Sequence, residues 1–296
     1  STFPDYVGVN VYGSQGVNLD LTDTFTSLVI PGLVGANLLS AGQGSQISAI
    51  VGAFAPNYFG SQLLQTTGYA ENDLVDGIAS SFKVDVAAHY RFNGNSELIF
   101  NSKIGTGNTM LHATNRIFLK NFSLQQHKIE YKTRNLNLRA YTSIENAGNT
   151  HDLVALGGRI ANAQPGGIQA GWAGAYLQNY FLNLFGQINP NPNAAINAML
   201  GGILFYGETS MYDDLVTPKM NYMAHAFARG EANKNMLVPG SDAFKEAYFN
   251  ATTVPVARGG AAIEDNSMSN NFEVNYNASD LVSGFDLQLG AQARQY

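Results

Sequence analysis

The chain has 296 residues and a formal net charge of −6, and only 13% of its residues are charged. Soluble domains carry about 25% charged residues, so the low charge, together with 31 glycines and 11% aromatic residues, disfavours a helical enzyme and a disordered chain. The acidic balance without a basic stripe argues against nucleic acid as a partner, and the lack of cysteine excludes disulfides and thiolate metal sites.

No apolar run reaches the roughly 18–20 residues that a transmembrane helix needs. The longest candidates, Leu28–Leu39 and Ala194–Tyr206, are too short. A location in a membrane would therefore require a closed β-barrel, because only helices and closed barrels satisfy every backbone polar group in lipid.

Six segments alternate apolar and polar residues with the period of two that predicts strands, and they form three hairpins. The first hairpin runs over 82–104 around the turn Asn93-Gly94-Asn95, which is a strong hairpin signal. The second joins strands over about 117–132 and 136–145 through Thr133–Asn135. The third joins 271–276 to 285–294.

The third predicted strand contains a change of phase. Its apolar residues Phe122 and Leu124 fall on the face that carries Lys128 and Glu130 further along. This change predicts a bulge near Gln125-Gln126 or a change of environment along the strand.

Alternation alone also fits a soluble antiparallel sheet with one polar face. The connections favour a membrane, because short polar turns alternate with two very long segments, 1–78 and 147–267, as in outer-membrane barrels with short periplasmic turns and long outside loops. The apolar faces would meet lipid and the polar faces the lumen. The side chains predicted to point inward are His89, Arg91, Lys103, Lys128, Glu130, Arg139, Glu145, Glu273 and Arg294.

The long segments also contain helical signals. They are 23–39, 45–54, 194–204, the spacing of Met220, Met223, Ala224 and Phe227, and a helix capped by Ser241. An apolar segment over 172–185 carries Trp172, Tyr176 and Tyr180. With Arg139 and Glu145 of the lumen wall, these aromatic residues are our candidates for ligand binding. The alternative is that the aromatic residues pack the loop onto itself.

No catalytic or metal-ligating constellation is found. The five histidines show neither HxxxH nor HExxH spacing, and GxSxG is absent. We therefore expect no catalytic residues, no metal, no cofactor and no enzymatic activity.

Several stretches resemble one known family. They are residues 5–13 (DYVGVNVYG), 67–76, 105–109, 119–128 and 138–148. Together they are similar to the barrel region of TonB-dependent outer-membrane receptors of the Bacteroidetes type. The resemblance covers much of 5–146 and, weakly, 222–296.

This resemblance implies a 22-stranded barrel with a plugged lumen and active import of a scarce nutrient, driven through the TonB complex. The plug domain and later strands of the family are not found in these 296 residues, so we expect the chain to be a portion of a longer polypeptide. A passive porin, or a surface-exposed binding or adhesion β-protein, stays open as an alternative.

The sequence thus predicts an all-β fold: about six strands of an antiparallel transmembrane β-barrel with long, partly helical extracellular loops. Residues 1–78 form an extracellular loop, 79–146 four strands, 147–267 a long extracellular loop with helices, and 268–296 two strands of one receptor domain. The expected location is the outer membrane of a Gram-negative bacterium. The expected partners are outer-membrane lipid, the TonB complex through a plug domain, and a small nutrient ligand; a surface lipoprotein that caps the loops stays open.

Overall fold

The fold is that of a computed structural model, which describes residues 11–14, 16–20, 23, 25–35, 37, 39–54, 61–112, 115–191, 194, 217–281 and 284–296. The strands are β1 Val11–Tyr12, β2 Gly16–Asp20, β3 Ser61–Gln65, β4 Tyr69–Ala70, β5 Ser80–Asn93, β6 Ser96–His112, β7 Arg116–Thr133, β8 Leu136–Asn146, β9 His151–Asp152, β10 Asn266–Asn277 and β11 Gln288–Gln295. The α-helices are α1 Ile30–Gly35, α2 Ala41–Phe54, α3 Glu71–Leu74, α4 Leu153–Asn162, α5 Gly174–Ile188, α6 Pro218–Asn233 and α7 Asp242–Thr253.

The described residues divide into two compact units. The first contains Glu71–Leu156 and Tyr248–Tyr296, and the second contains Val11–Ala70 and Gly157–Ala247.

The first unit is built on a seven-stranded antiparallel sheet. Its order is β11-β10-β8-β7-β6-β5, and the short strand β9 pairs with β7 outside this path. The six strands predicted from alternation are all present, and the tight turns form where polar side chains hold the backbone. At the first turn Asn93 Oδ1 accepts from Asn95 N at 2.9 Å, and at the second Thr133 Oγ1 accepts from Leu136 N at 2.9 Å.

The predicted fold class is confirmed for the large antiparallel sheet, but the description all-β is too narrow. The described residues also form the α-helices given above, and two short π-helical stretches at Phe25–Val29 and Gly167–Ala173. Among the described strands, β5 and β11 are the outermost members of the sheet, and closure into a barrel stays a prediction.

The bulge predicted near Gln125-Gln126 is at a different place. Strands β6 and β7 pair without interruption from Ser96↔Thr133 to Gly107↔Phe122, and the register shifts only between Gly107 and Thr109. There Asn121 adopts a left-handed backbone with φ of 55°. The phase change at Phe122 and Leu124 is therefore a change of environment along a regular strand.

Two further features of the first unit were not predicted. Strand β9 pairs with the far end of β7, as Phe118↔His151. The sixth predicted strand begins later than expected, at Gln288, because Leu287 N donates to the Ser279 hydroxyl at 3.0 Å and not to a carbonyl of β10.

The second unit is mainly helical. Helices α5 and α6 pack antiparallel, with Leu184 and Ala224 fully buried between them. Thr217 caps α6 by accepting from Met220 N at 3.3 Å, and Pro218 stands in its first turn, where the missing N–H costs nothing.

Most of the predicted helical signals are confirmed. They correspond to α1, α2, α6 and α7, and the Ser241 hydroxyl accepts from Phe244 N at 3.2 Å as the predicted cap. Helix α5 falls on the apolar segment 172–185, for which no helix was predicted. The predicted helix over 194–204 lies outside the described residues except for Ala194, as does most of the 5–13 motif. Within the described part of the chain, no helix is long and apolar enough to cross a membrane.

Candidate functional site

One face of the seven-stranded sheet carries large apolar side chains that are exposed. The register places Phe100, Ile129 and Phe272 in a single row across the strands, with Ala140 between Ile129 and Phe272. The exposed apolar side chains of this face are Phe82, Val84, Val86, Tyr90, Phe92, Phe100, Ile104, Ile129, Leu138, Met268, Phe272, Val274 and Leu289.

The opposite face of the same sheet is polar and partly buried. Its central row runs His89, Ile99, Glu130, Arg139, Glu273 and Gln292 from β5 to β11. Glu130 is 1% exposed and Asn271, in the next row, is 3% exposed. In the central strands the usual arrangement of a water-soluble sheet, apolar inside and polar outside, is therefore inverted, whereas β5 and β11 are exposed on both faces.

Glu130 is the centre of a charge network on the polar face. Its two carboxylate oxygens lie 3.1 Å from Lys128 Nζ, 3.2 Å from Lys132 Nζ and 3.1 Å from Arg139 Nη2, and Asn137 Nδ2 donates to it at 3.1 Å. Because a buried carboxylate is costly unless it is paired and hydrogen-bonded, these neighbours explain how Glu130 can stay ionised there.

Arg139 extends this network to the next strand. Its Nη1 lies 3.1 Å from Glu273, so one guanidinium joins carboxylates on β7 and β10 through the strand between them. Such cross-strand pairs fix the register of three neighbouring strands.

A broad concavity of about 790 Å³ lies towards the other end of the polar face. Phe122 and Leu124 of β7 and the glycines Gly105 and Gly107 of β6 line it, and Lys83 of β5 stands at its side. Leu124 is 47% exposed although it lies on the polar face.

The structure places two of the predicted ligand-binding residues on this polar face. Arg139 belongs to the Glu130 network, whereas Glu145 lies on β8 opposite Leu124 and Ser267. Their assignment as ligand-binding residues stays a prediction.

The three predicted aromatic residues belong to the second unit and form one stack. The rings of Trp172 and Tyr176 are 5.2 Å apart and nearly parallel, and Tyr176 is followed by Tyr180 at 6.5 Å. The ring of His225 on α6 lies 4.6 Å from Tyr180.

Each member of the stack is tied to α6 by a polar contact. Trp172 Nε1 donates to Asn233 at 2.9 Å, the Tyr176 hydroxyl lies 2.5 Å from His225 Nδ1, and the Tyr180 hydroxyl donates to Asn221 at 2.7 Å. These three pairs follow one another along the two antiparallel helices.

Arg229 completes this contact between α5 and α6. Its guanidinium lies 5.5 Å from the Trp172 ring centre and 5.9 Å from that of Tyr176, which is cation–π distance, and it donates to Thr67 at 3.2 Å. Trp172 and Tyr176 are buried, so the stack packs α5 and α6 together in this structure. Ligand binding by these aromatic residues stays a prediction.

Burial perturbs the titration of this stack. It raises the pKa of the Tyr176 hydroxyl above 10.0. Burial, and then the nearby Arg229 charge, lower the pKa of His225 below 6.5. The neutral imidazole is thus the favoured form, and its Nδ1 can accept a hydrogen bond from the Tyr176 hydroxyl.

The partners of the stack on α6 were missed in the sequence. Asn221, His225, Arg229 and Asn233 recur every four residues, which places them on one helix face. The same spacing relates Trp172, Tyr176 and Tyr180. Two polar-aromatic stripes with equal spacing would have pointed to a helix pair.

A second buried polar cluster in the first unit was also missed. His151 is 1% exposed, and its Nδ1 donates to the Asn149 carbonyl at 3.0 Å. The Tyr248 hydroxyl lies 3.2 Å both from His151 Nε2 and from the Leu74 carbonyl. Burial lowers the pKa of His151 and raises the pKa of Tyr248 to about 12, so both groups are neutral near pH 7.

Among the described residues, no three His, Asp or Glu side chains come together as a metal site. No family model, curated protein or solved structure matches the chain. The interpretation of the site therefore depends on its own geometry.

Proposed function

We propose that the chain is the barrel part of a TonB-dependent receptor that imports a scarce nutrient across the outer membrane of a Gram-negative bacterium. The observation that carries this proposal is the inverted sheet, whose exposed face is apolar and whose polar face holds a nearly fully buried carboxylate, Glu130.

The amount of exposed apolar surface favours lipid as the surrounding solvent. The thirteen large apolar side chains of this face are each about half exposed. Aromatic side chains have areas of about 150–250 Å² and aliphatic ones somewhat less, so together they present on the order of 1,000 Å². Monomeric soluble proteins rarely expose contiguous apolar patches beyond about 300–600 Å². A surface of this size is stable only when lipid or protein covers it.

The length of the apolar face suits a bilayer. From Phe82 to Phe92 the alternating positions of β5 cover ten residues, which is about 34 Å along a strand at about 3.4 Å per residue. A strand tilt of about 40° reduces this to about 26 Å along the membrane normal, close to the apolar band of about 25 Å in outer-membrane barrels.

Active import, rather than passive diffusion, is supported by the resemblance of residues 67–76, 105–109, 119–128 and 138–148 to TonB-dependent receptors. In this proposal the partners are outer-membrane lipid, the TonB complex through a plug domain, and a small nutrient ligand. The polar face, with the Glu130 network, is the lumen wall.

The experiment has two stages. The first asks whether the protein is recovered with outer-membrane fractions and needs detergent or lipid to stay dispersed. The second compares nutrient uptake in cells with and without TonB, and ionic conductance of the protein in planar bilayers.

Membrane recovery, TonB-dependent uptake and low conductance are the expected results. A large, steady conductance that does not depend on TonB would favour a passive porin. Full dispersion in buffer without lipid would overturn the membrane assignment and favour a surface-exposed binding protein.

A further inference from the structure

We propose that the concavity on the polar face binds a small amphipathic anion, with its apolar body against Phe122 and Leu124 and its anionic group on Lys83. This inference rests on the proposed function, since it names the class of ligand that the lumen wall would contact during import. Apolar residues interrupt the polar face of β7 at this concavity.

The floor of the concavity is apolar where the pattern calls for polar residues. Below it on β7 the same face carries Gln126, Lys128 and Glu130, but the next two positions are Leu124 and Phe122. Leu119 follows on this face after the bulge and also lines the concavity. An exposed apolar floor inside a polar wall costs free energy in water, and an apolar ligand group would recover part of it.

The two glycines of β6 differ in what the fold demands of them. A Cβ at Gly107 would lie 2.5 Å from the Ser80 carbonyl oxygen, so the close approach of β5 requires glycine there. A Cβ at Gly105 would lie 3.8 Å from Lys83 Cγ and 3.9 Å from the Leu124 oxygen, which is ordinary contact. Packing therefore does not require glycine at 105, and its missing side chain leaves the space above the floor open.

The charges around the concavity select for an anion. The Asp85 carboxylate already has two partners, since Asn101 Nδ2 donates to it at 2.7 Å and Lys103 Nζ lies 3.4 Å away. Lys83, whose stem lies over Gly105, pairs with no carboxylate among the described residues. Glu145, the other nearby carboxylate on this face, is three strands from Lys83, about 14 Å at 4.8 Å per strand.

The size of the concavity fits a small molecule. Its volume of about 790 Å³ lies within the range of about 300–1,000 Å³ that ligand sites occupy. An apolar body with one anionic group matches the apolar floor, the unpaired ammonium and this size together.

The test uses anilinonaphthalene sulfonate as an amphipathic anionic probe and phenylnaphthylamine as its uncharged analogue. Both are titrated by fluorescence into the protein held in nanodiscs of zwitterionic lipid, and the signal of empty nanodiscs is subtracted. Lys83→Met removes the charge and keeps an apolar stem of similar length. Gly105→Leu fills the concavity.

Two matched controls accompany these variants. Ala88→Leu adds the same kind of bulk on β5, on the opposite and exposed face of the sheet. Lys245→Met removes an exposed lysine from α7, where its pair with Asp242 is a surface contact worth little.

The wild-type protein is expected to bind the sulfonate saturably and more tightly than the uncharged probe. Lys83→Met should lower the affinity for the sulfonate at least tenfold, which corresponds to about 1.4 kcal/mol. The affinity of the same variant for the uncharged probe should stay within about twofold of the wild-type value. Gly105→Leu should lower the affinity for both probes, and the two control variants should change neither affinity. Added salt should lower the affinity of the wild-type protein for the sulfonate, and should lower that of Lys83→Met much less.

Equal binding of both probes, or no effect of Lys83→Met, would overturn the assignment of an anion. Unchanged binding in Gly105→Leu would show that the probes bind elsewhere. If the protein disperses without lipid, the same titrations are run in buffer, so a failure of the membrane proposal is seen separately from a failure of this site.

Discussion

Replacing Phe272 by lysine tests whether the apolar face of the sheet meets lipid. Phe272 is 56% exposed on β10, between Val274 and Met268 on the same face. It lies four residues from Tyr276 near the turn end of the strand, which is about 14 Å along the strand and about 10 Å along the membrane normal at a tilt of about 40°. This depth is close to the middle of an apolar band of about 25 Å.

The expected magnitude follows from this depth. A lysine near the midplane of a lipid-facing strand costs about 2–4 kcal/mol, which lowers the folding equilibrium constant about 30-fold to 900-fold at 1.36 kcal/mol per decade. In water the same exchange at an exposed position would change stability by about 0.5 kcal/mol or less. The two environments therefore predict clearly different results.

The assay is reversible folding into lipid vesicles in a denaturant titration, followed by the gel mobility of unheated samples. Asn275→Lys is the matched control, because Asn275 is exposed on the same strand but on the polar face. A loss of stability in Phe272→Lys with little change in Asn275→Lys supports a lipid-facing surface. Equal small changes in both variants would refute the reasoning.

Three further substitutions test particular contacts in the same folding assay. Arg139→Met removes one of the three cations that pair with Glu130 and is expected to cost about 1.5–3 kcal/mol; a loss below about 0.5 kcal/mol would contradict a stabilising contact between these two side chains. Gly107→Ala forces its Cβ against the β5 backbone and should lower the free energy of unfolding by about 1–3 kcal/mol. An unchanged free energy of unfolding would contradict the close approach of β5 to Gly107. Tyr248→Phe removes the hydroxyl beside His151 and should cost about 1–2 kcal/mol; unchanged hydrogen exchange in α7 would contradict that contact.

The strands could be predicted because a period of two and short polar turns are local signals. The Asn93-Gly94 turn and the alternation of β5 and β8 gave the hairpins and the shared faces. The pairing of β9 could not be predicted in this way, because it depends on a backbone contact between residues distant in sequence, Phe118 and His151. The start of β11 depends on the hydrogen bond from Leu287 N to the Ser279 hydroxyl, which a period of two does not indicate.

The side chains of the polar face could be named from the sequence, but their partners could not. Lys128 and Glu130 were both predicted to point inward, whereas the pairing of Glu130 with Arg139 and of Arg139 with Glu273 requires the register of three strands. The phase change at Phe122 and Leu124 was visible in the sequence. Its meaning was not, because a bulge and an apolar patch inside a polar wall give the same pattern.

The aromatic stack of the second unit leads to a pH dependence with a definite sign. His225 faces the Tyr176 hydroxyl and the Tyr180 ring on α5, and Arg229 lies one turn along its own helix. Burial and this guanidinium lower the pKa of His225 in the folded state, so the unfolded state binds the proton more readily. The contribution of neutral His225 to the stability of the fold is complete above the pKa of histidine in the unfolded chain, about 6.5. This contribution is lost as the pH falls below that pKa.

Protonation has a structural reason to loosen the helix pair. An imidazolium cannot accept from Tyr176, so that buried hydroxyl must turn its proton away, and two cations then stand one turn apart on α6. We expect the fluorescence of Trp172, the chain's single tryptophan, to change as the pH falls below about 6.5. His225→Gln keeps a hydrogen-bond acceptor without titrating and should remove this transition, while Tyr176→Phe should lower stability already at pH 8 and reduce the pH response. A transition of the same midpoint and size in His225→Gln would assign it to another group.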